Sequence, residues 1–150
     1  MLIQRQAVTA LPIIDIFPFV KHGSLAERSS VAAQLREACI SIGFFYLAGH
    51  GLSESELEGA LQYSHRFFAL PLEKKLSVSS ANSPVGRGFV QIGGLEQTAA
   101  APDIKERFTM SRERIADEPL DGNYDAGKTQ WPDPQLLVGF EDFMKSYMIK

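Results

Sequence analysis

The side chains best suited to chemistry are few and far apart. The chain has three histidines, His22, His50 and His65. No two of them stand three or four residues apart, the spacing that places two imidazoles on one helical face to grip a metal. They are followed by Gly23-Ser24, Gly51-Leu52 and Arg66-Phe67, so none opens a His-x-Asp or His-x-Glu pair. His50 beside Gly51 reads as a turn residue, His65 as a helix residue facing solvent or a groove, and His22 as a loop residue. Arg87 is the charge with the most chemical scope. Flanked by Gly86 and Gly88, its backbone is free to take unusual torsions, and its guanidinium can reach a carboxylate. The plainer alternative is a loop arginine paired with a local acid. Phe89 and Phe108 read first as core aromatics rather than as rings that stack on a ligand. Cys39 is the single cysteine. It cannot form an intramolecular disulfide, and its place on an apolar helix face predicts an inert core thiol.

These residues must be positioned by a mixed set of helices and strands. Leu11 to Ile16 reads as a short strand with Pro12 at its start. Phe17 to Ser30 reads as a connection that turns at His22-Gly23. Val31, Leu35, Ala38, Cys39 and Ile42 recur at helical spacing, which predicts a helix over about 30–42 with one apolar face and a stop at Gly43. Phe44 to Leu47 is continuously apolar, the pattern of a strand buried on both faces. Ser53 and Glu56 form a capping box for a helix over 54–68, with Leu57, Leu61, Ser64 and Phe68 along one stripe. Pro71 then begins a short helical turn carrying Glu73, Lys74 and Lys75.

The second half is more irregular. Residues 77–85 are Ser-rich and read as a mobile loop, and 86–92 as a strand. Residues 93–103 and 113–130 read as loops. Ile104, Glu106, Phe108 and Met110 alternate with Lys105, Arg107 and Thr109, the period of a strand, with Lys105-Glu106-Arg107 expected to pair across strands on a solvated face. Pro132 is expected to begin a last helix with a broad apolar face, which is still apolar at Tyr147-Met148-Ile149 and carries no stop signal. Helices or long loops separate the strands, so they are poor candidates for a closed sheet among themselves. The fold class is α+β.

Composition narrows the functions. At 150 residues with 45% hydrophobic content the chain is about one folded domain. Lys+Arg 15 against Asp+Glu 18 gives a net charge of −3 with no basic block, so no positive stripe for nucleic acid is present. No apolar run is long enough to cross a bilayer as a helix. Met1 to Gln6 lacks the layout of a secretory signal, and a lone thiol fits a reducing compartment, so a cytoplasmic location is expected.

Several short motifs stand in order along the chain: Pro12-Ile13-Ile14-Asp15, Gly43-Phe44-Phe45-Tyr46-Leu47 with His50-Gly51-Leu52, Phe67-Phe68-Ala69-Leu70-Pro71 with Glu73-Lys74-Lys75, Arg87-Gly88-Phe89, Asp103-Ile104-Lys105-Glu106 with Phe108, and Trp131-Pro132 with Gly139-Phe140. Together they resemble the N-terminal part of the isopenicillin N synthase-like family of non-haem iron(II), 2-oxoglutarate-dependent dioxygenases. Three places depart from the family pattern: Gly49 stands where an Asn usually precedes the His, Phe89 where Tyr is commoner, and Asp133 to Leu137 separate Pro132 from the Gly-Phe pair.

The resemblance implies an oxidoreductase that uses Fe(II) and 2-oxoglutarate on a small organic substrate. It also implies helices and strands that extend a double-stranded β-helix (jelly roll) built mainly from later sequence. Arg87 and Phe89 are then the candidate substrate-binding residues. The family's iron ligands, a His-x-Asp or His-x-Glu pair and a distant His, have no counterpart in this sequence, so no catalytic, metal or cofactor-binding residue is expected in it. Arg28-Ser29-Ser30 matches the letters of the family's Arg-x-Ser anchor for 2-oxoglutarate. It stands too early in the chain, and Ser29 or Ser30 is better read as a helix cap.

The expectation is therefore a truncated N-terminal dioxygenase domain over 1–150, inactive alone, with an exposed apolar face. That face would be covered by the missing C-terminal barrel or by a self-associating copy. The alternative is a non-catalytic interaction module. Neither reading involves nucleic acid or a membrane.

Overall fold

A computed structural model describes residues 10–93, 104–111 and 127–150. The chain divides into two compact units, Met1–Leu52 and Ser53–Lys150, each with its own sheet and core. The described strands form two separate two-stranded sheets, so the chain is a mixed helix/strand protein. The loops expected over 93–103 and 113–130 lie for the most part outside the described residues, as does Asp103 of its motif.

The first unit is a parallel strand pair crossed over by a helix. β1 (Ile13–Asp15) leads into a four-residue helix, α1 (Phe17–Val20), where plain connection is expected from the sequence. The Asp15 carboxylate starts it by accepting the Phe17 N–H at 2.8 Å. The chain then turns at His22, which sits at a φ of 52°, and enters α2 (Leu25–Ser41). This helix starts earlier than expected, and its cap is Ser24 rather than Ser29 or Ser30. Ser24 and Glu27 form a reciprocal capping box that satisfies two otherwise orphaned donors. Arg28, Ser29 and Ser30 are therefore ordinary residues of its first turns.

Gly43, at a φ of 87°, closes α2 by donating its N–H to the Ala38 carbonyl at 2.8 Å. β2 (Tyr46–Ala48) then pairs with β1 in the register Ile13↔Tyr46, Ile14↔Leu47 and Asp15↔Ala48. Ile14, Val31 and Ala38 form the core, with Ile16, Leu35 and Phe45 packed on it.

Two expectations fail in this unit, for one reason. A sheet of two strands with one helix against it has a single covered face. The 44–47 segment is therefore not buried on both sides: Phe45 packs inward, while Phe44 (70% exposed) and Tyr46 (63%) lie on the open face. Cys39 is exposed rather than a core thiol. Its neighbour Ala38 takes the inward position, and one residue along a helix is a rotation of about 100°.

The second unit is organised by aromatic side chains. α3 (Glu54–Phe68) begins at the expected capping box, with Ser53 and Glu56 exchanging hydrogen bonds. Its buried stripe is not the expected one, since Leu57 and Leu61 are exposed. Tyr63 and Phe67 face inward instead, because they meet the rings of the last helix. α4 (Leu72–Leu76) follows Pro71.

Residues 77–85, expected to be mobile, contain a 3-10 turn at Ser80–Asn82 and bury both Val78 and Ser80. β3 (Gly88–Val90) and β4 (Arg107–Thr109) then pair antiparallel, with Phe89 opposite Phe108. α5 (Phe140–Met148) starts well after Pro132, at Gly139, whose φ of 76° is the left-handed break between a run of turns and the helix. A Cβ on Gly139 would also sit 2.7 Å from the Tyr63 hydroxyl oxygen.

Phe67 is the centre of this unit. It is 1% exposed, lies parallel to Phe140 at 5.6 Å between ring centroids, and is 4.6 Å from Phe108 and 6.1 Å from Phe89. Val78, Leu137 and Met144 complete the buried set. Truncating this ring removes apolar burial and leaves a cavity bounded by α5, β3 and β4. Phe67→Ala should destabilise the chain by about 3–5 kcal/mol in urea unfolding. A loss below ~1 kcal/mol would show that the packing of α3 against α5, β3 and β4 does not depend on it.

The start of α3 is also sensitive to pH. Lys150, then the Ser53 N–H and hydroxyl, hold the Glu56 carboxyl down to about 2 from its ordinary 4.5. A carboxyl depressed by folding contributes stability that is complete above its unfolded value and is lost as pH falls towards its folded one. Glu56→Gln should therefore flatten the acid limb of the stability profile between pH 4.5 and about 2. Urea midpoints measured across that range check it, and an unaltered limb would contradict it.

Candidate functional site

Arg87 enters β3 between two glycines in the left-handed region, Gly86 at a φ of 68° and Gly88 at 124°. At Gly88 the need is steric as well as conformational. A Cβ there would run into the Val78 carbonyl oxygen and lie 3.1 Å from the Ser80 nitrogen. That close approach lets the Phe89 N–H donate to the Val78 carbonyl at 2.8 Å, which ties β3 to the 3-10 turn on one side while β4 holds the other.

Arg87 is thereby drawn inward and is only 2% exposed. Its Nη1 donates to the Gly127 carbonyl. Further along that stretch Thr129 is buried, and its Oγ1 has no hydrogen-bond partner among the described residues. The two candidate residues therefore stand close together in the chain, at and just before one strand, but in different settings. Arg87 is a buried cation tied to main chain, whereas the Phe89 ring is 1% exposed and belongs to the core.

The second unit holds another buried cation, the last residue of the Glu73-Lys74-Lys75 motif, whose spacing does not foretell its burial. Lys75, on α4, is 7% exposed. Its Nζ donates to Glu106 Oε2 at 2.7 Å and to the Phe68 carbonyl at 3.1 Å, and stands 5.3 Å from the centre of the Phe89 ring. One ammonium therefore links the end of α3, the segment leading into β4 and the face of the β3 aromatic. Glu106 does not join a cross-strand ion pair on a solvated face as expected. The alternation holds from 105 to 110 and points Glu106, Phe108 and Met110 to the inner side, but Ile104, expected on the same face, is 91% exposed. A carboxylate on that side needs a partner, and Lys75 is within reach.

The histidines remain apart. His22 and His65 are exposed. His50 is half-buried in its turn, and its Nδ1 accepts the Leu52 N–H at 3.1 Å, a structural role. Among the described residues no group of three or more His, Cys, Asp or Glu side chains could hold a metal ion. Nor is any helix among them long and apolar enough to cross a membrane.

Residues 11–134 match the family described as the non-haem dioxygenase in morphine synthesis N-terminal, and the chain belongs to that family. A clavatol oxidase of Penicillium crustosum is 33% identical over 144 residues, covering 89% of this chain and 42% of the relative. A homoarginine-6-hydroxylase of Arabidopsis thaliana is 35% identical over 147 residues, covering 93% of this chain and 43% of the relative. Others among the relatives are 2-oxoglutarate-dependent dioxygenases of fungi. The chain thus spans less than half the length of the curated relatives it matches.

Among solved structures, a full-length Neurospora crassa protein in complex with alpha-KG is 32% identical with a TM-score of 0.64, over 91% of this chain and 41% of that one. A 2OG-Fe(II) oxygenase family protein of Caulobacter crescentus has the same TM-score of 0.64 at 20% identity, over 93% of this chain and 43% of that one, which shows a shared fold. The iron implied by these relatives finds no fit among the described side chains, where no three His, Cys, Asp or Glu groups converge.

The Lys75 cluster can be tested by substitution. Lys75→Met keeps most of the side-chain volume but leaves Glu106 and the Phe68 carbonyl without their donor. The expected cost is about 1–3 kcal/mol. Adding Glu106→Gln should recover part of that loss, so a double-mutant cycle should show a coupling of ~1 kcal/mol or more. A coupling of zero would mean that the pair does not hold β4.

Proposed function

We propose that this chain is the N-terminal scaffold portion of an iron(II)/2-oxoglutarate-dependent oxidoreductase acting on a small organic substrate. Iron and 2-oxoglutarate would be held by a jelly-roll barrel formed by residues other than those of this chain. The observation that carries the reading is the match over 11–134 to the N-terminal family together with coverage of less than half of each relative. Two features of the chain support it. Its sequence has no His-x-Asp or His-x-Glu pair. Its strands make only two-stranded sheets among the described residues, and large apolar side chains such as Ile13 (71% exposed), Phe44 and Tyr46 stay open on the first unit. In this reading those side chains pack against the barrel, and the protein works in the cytoplasm.

Within the proposal, the role of this chain in substrate handling falls to the β3 strand and the residue that leads into it. Arg87 supplies a fixed cation that its glycine neighbours and the Gly127 carbonyl pre-orient, and Phe89 holds the strand by anchoring its ring in the core. A second reading, a non-catalytic module that covers the same apolar side chains with a partner or another copy, draws on the same exposure. The two diverge on one observation, whether the encoding DNA continues in frame, or after a frameshift, into a His-x-Asp and a distal His with Arg-x-Ser.

The purified 150-residue chain, supplied with Fe(II), ascorbate and 2-oxoglutarate, should form no succinate above a protein-free control. Iron-dependent succinate formation would overturn the scaffold reading. In the complete enzyme, Arg87→Ala should lower kcat/KM at least about tenfold, with Arg87→Lys recovering only part of it, while thermal unfolding of the Lys variant stays near that of the parent. An unchanged kcat/KM would remove Arg87 from the substrate site without touching the family assignment.

A further inference from the structure

We draw no further inference here: the strongest candidate, the open apolar surface of the first unit around Ile13, Phe44 and Tyr46 with the groove of about 550 Å³ between β1 and α2, carries nothing because nothing in the structure shows what covers it beyond the barrel already proposed.

Discussion

Phe67 lies where α3, β3, β4 and α5 come together, and the second unit is arranged around that ring. The unit's two described β-strands are three residues each. Strands of that length have few ladder hydrogen bonds to hold them, and an isolated pair is marginal in water. Their placement comes from side chains instead. Phe89 and Phe108, opposite each other in the pair, both reach Phe67, and Phe140 lies parallel to it from α5. Arg87 inherits its position from this packing, because it is attached to the strand that Phe89 anchors.

The buried lysine extends the same logic with charge. Leaving water is costly for an ammonium unless it gains a partner and hydrogen bonds. Lys75 gains a carboxylate, a carbonyl and an aromatic face, each from a different segment of the second unit. Such a group adds specificity: any slip of β4 along β3 would move Glu106 away from it. The ion pair of Lys145 with Glu141 differs, since both partners sit on one helix and the pair by itself fixes no strand register.

What the residues announce and what they conceal divide by the range of the cause. Local signals are legible. The Ser53–Glu56 box, the left-handed stop at Gly43, the turn at His22 and the inward alternation of Glu106, Phe108 and Met110 all depend on neighbours within a few positions. The Ser24–Glu27 box carries the same signature but is overshadowed, because Ser29 and Ser30 stand nearer to the visible apolar periodicity. Pro132 mimics a helix start although Gly139 holds the better break. Facing is harder. Leu57 and Leu61 make as good a stripe as Tyr63 and Phe67 until α5 is present to choose between them. The candidate site is half legible: the glycines around Arg87 foretell unusual torsions, but not burial against Gly127, and nothing local pairs Lys75 with a residue thirty-one positions away.

The twin capping boxes bear on how the polypeptide organises itself in time. Ser24 with Glu27 and Ser53 with Glu56 are the same device, one at the head of the longest helix of each unit. The slow event in making a helix is fixing its first turn, and a box supplies hydrogen bonds at that moment from residues only three apart. Each unit thus carries its own local start signal, made by side chains three positions apart rather than by any distant strand.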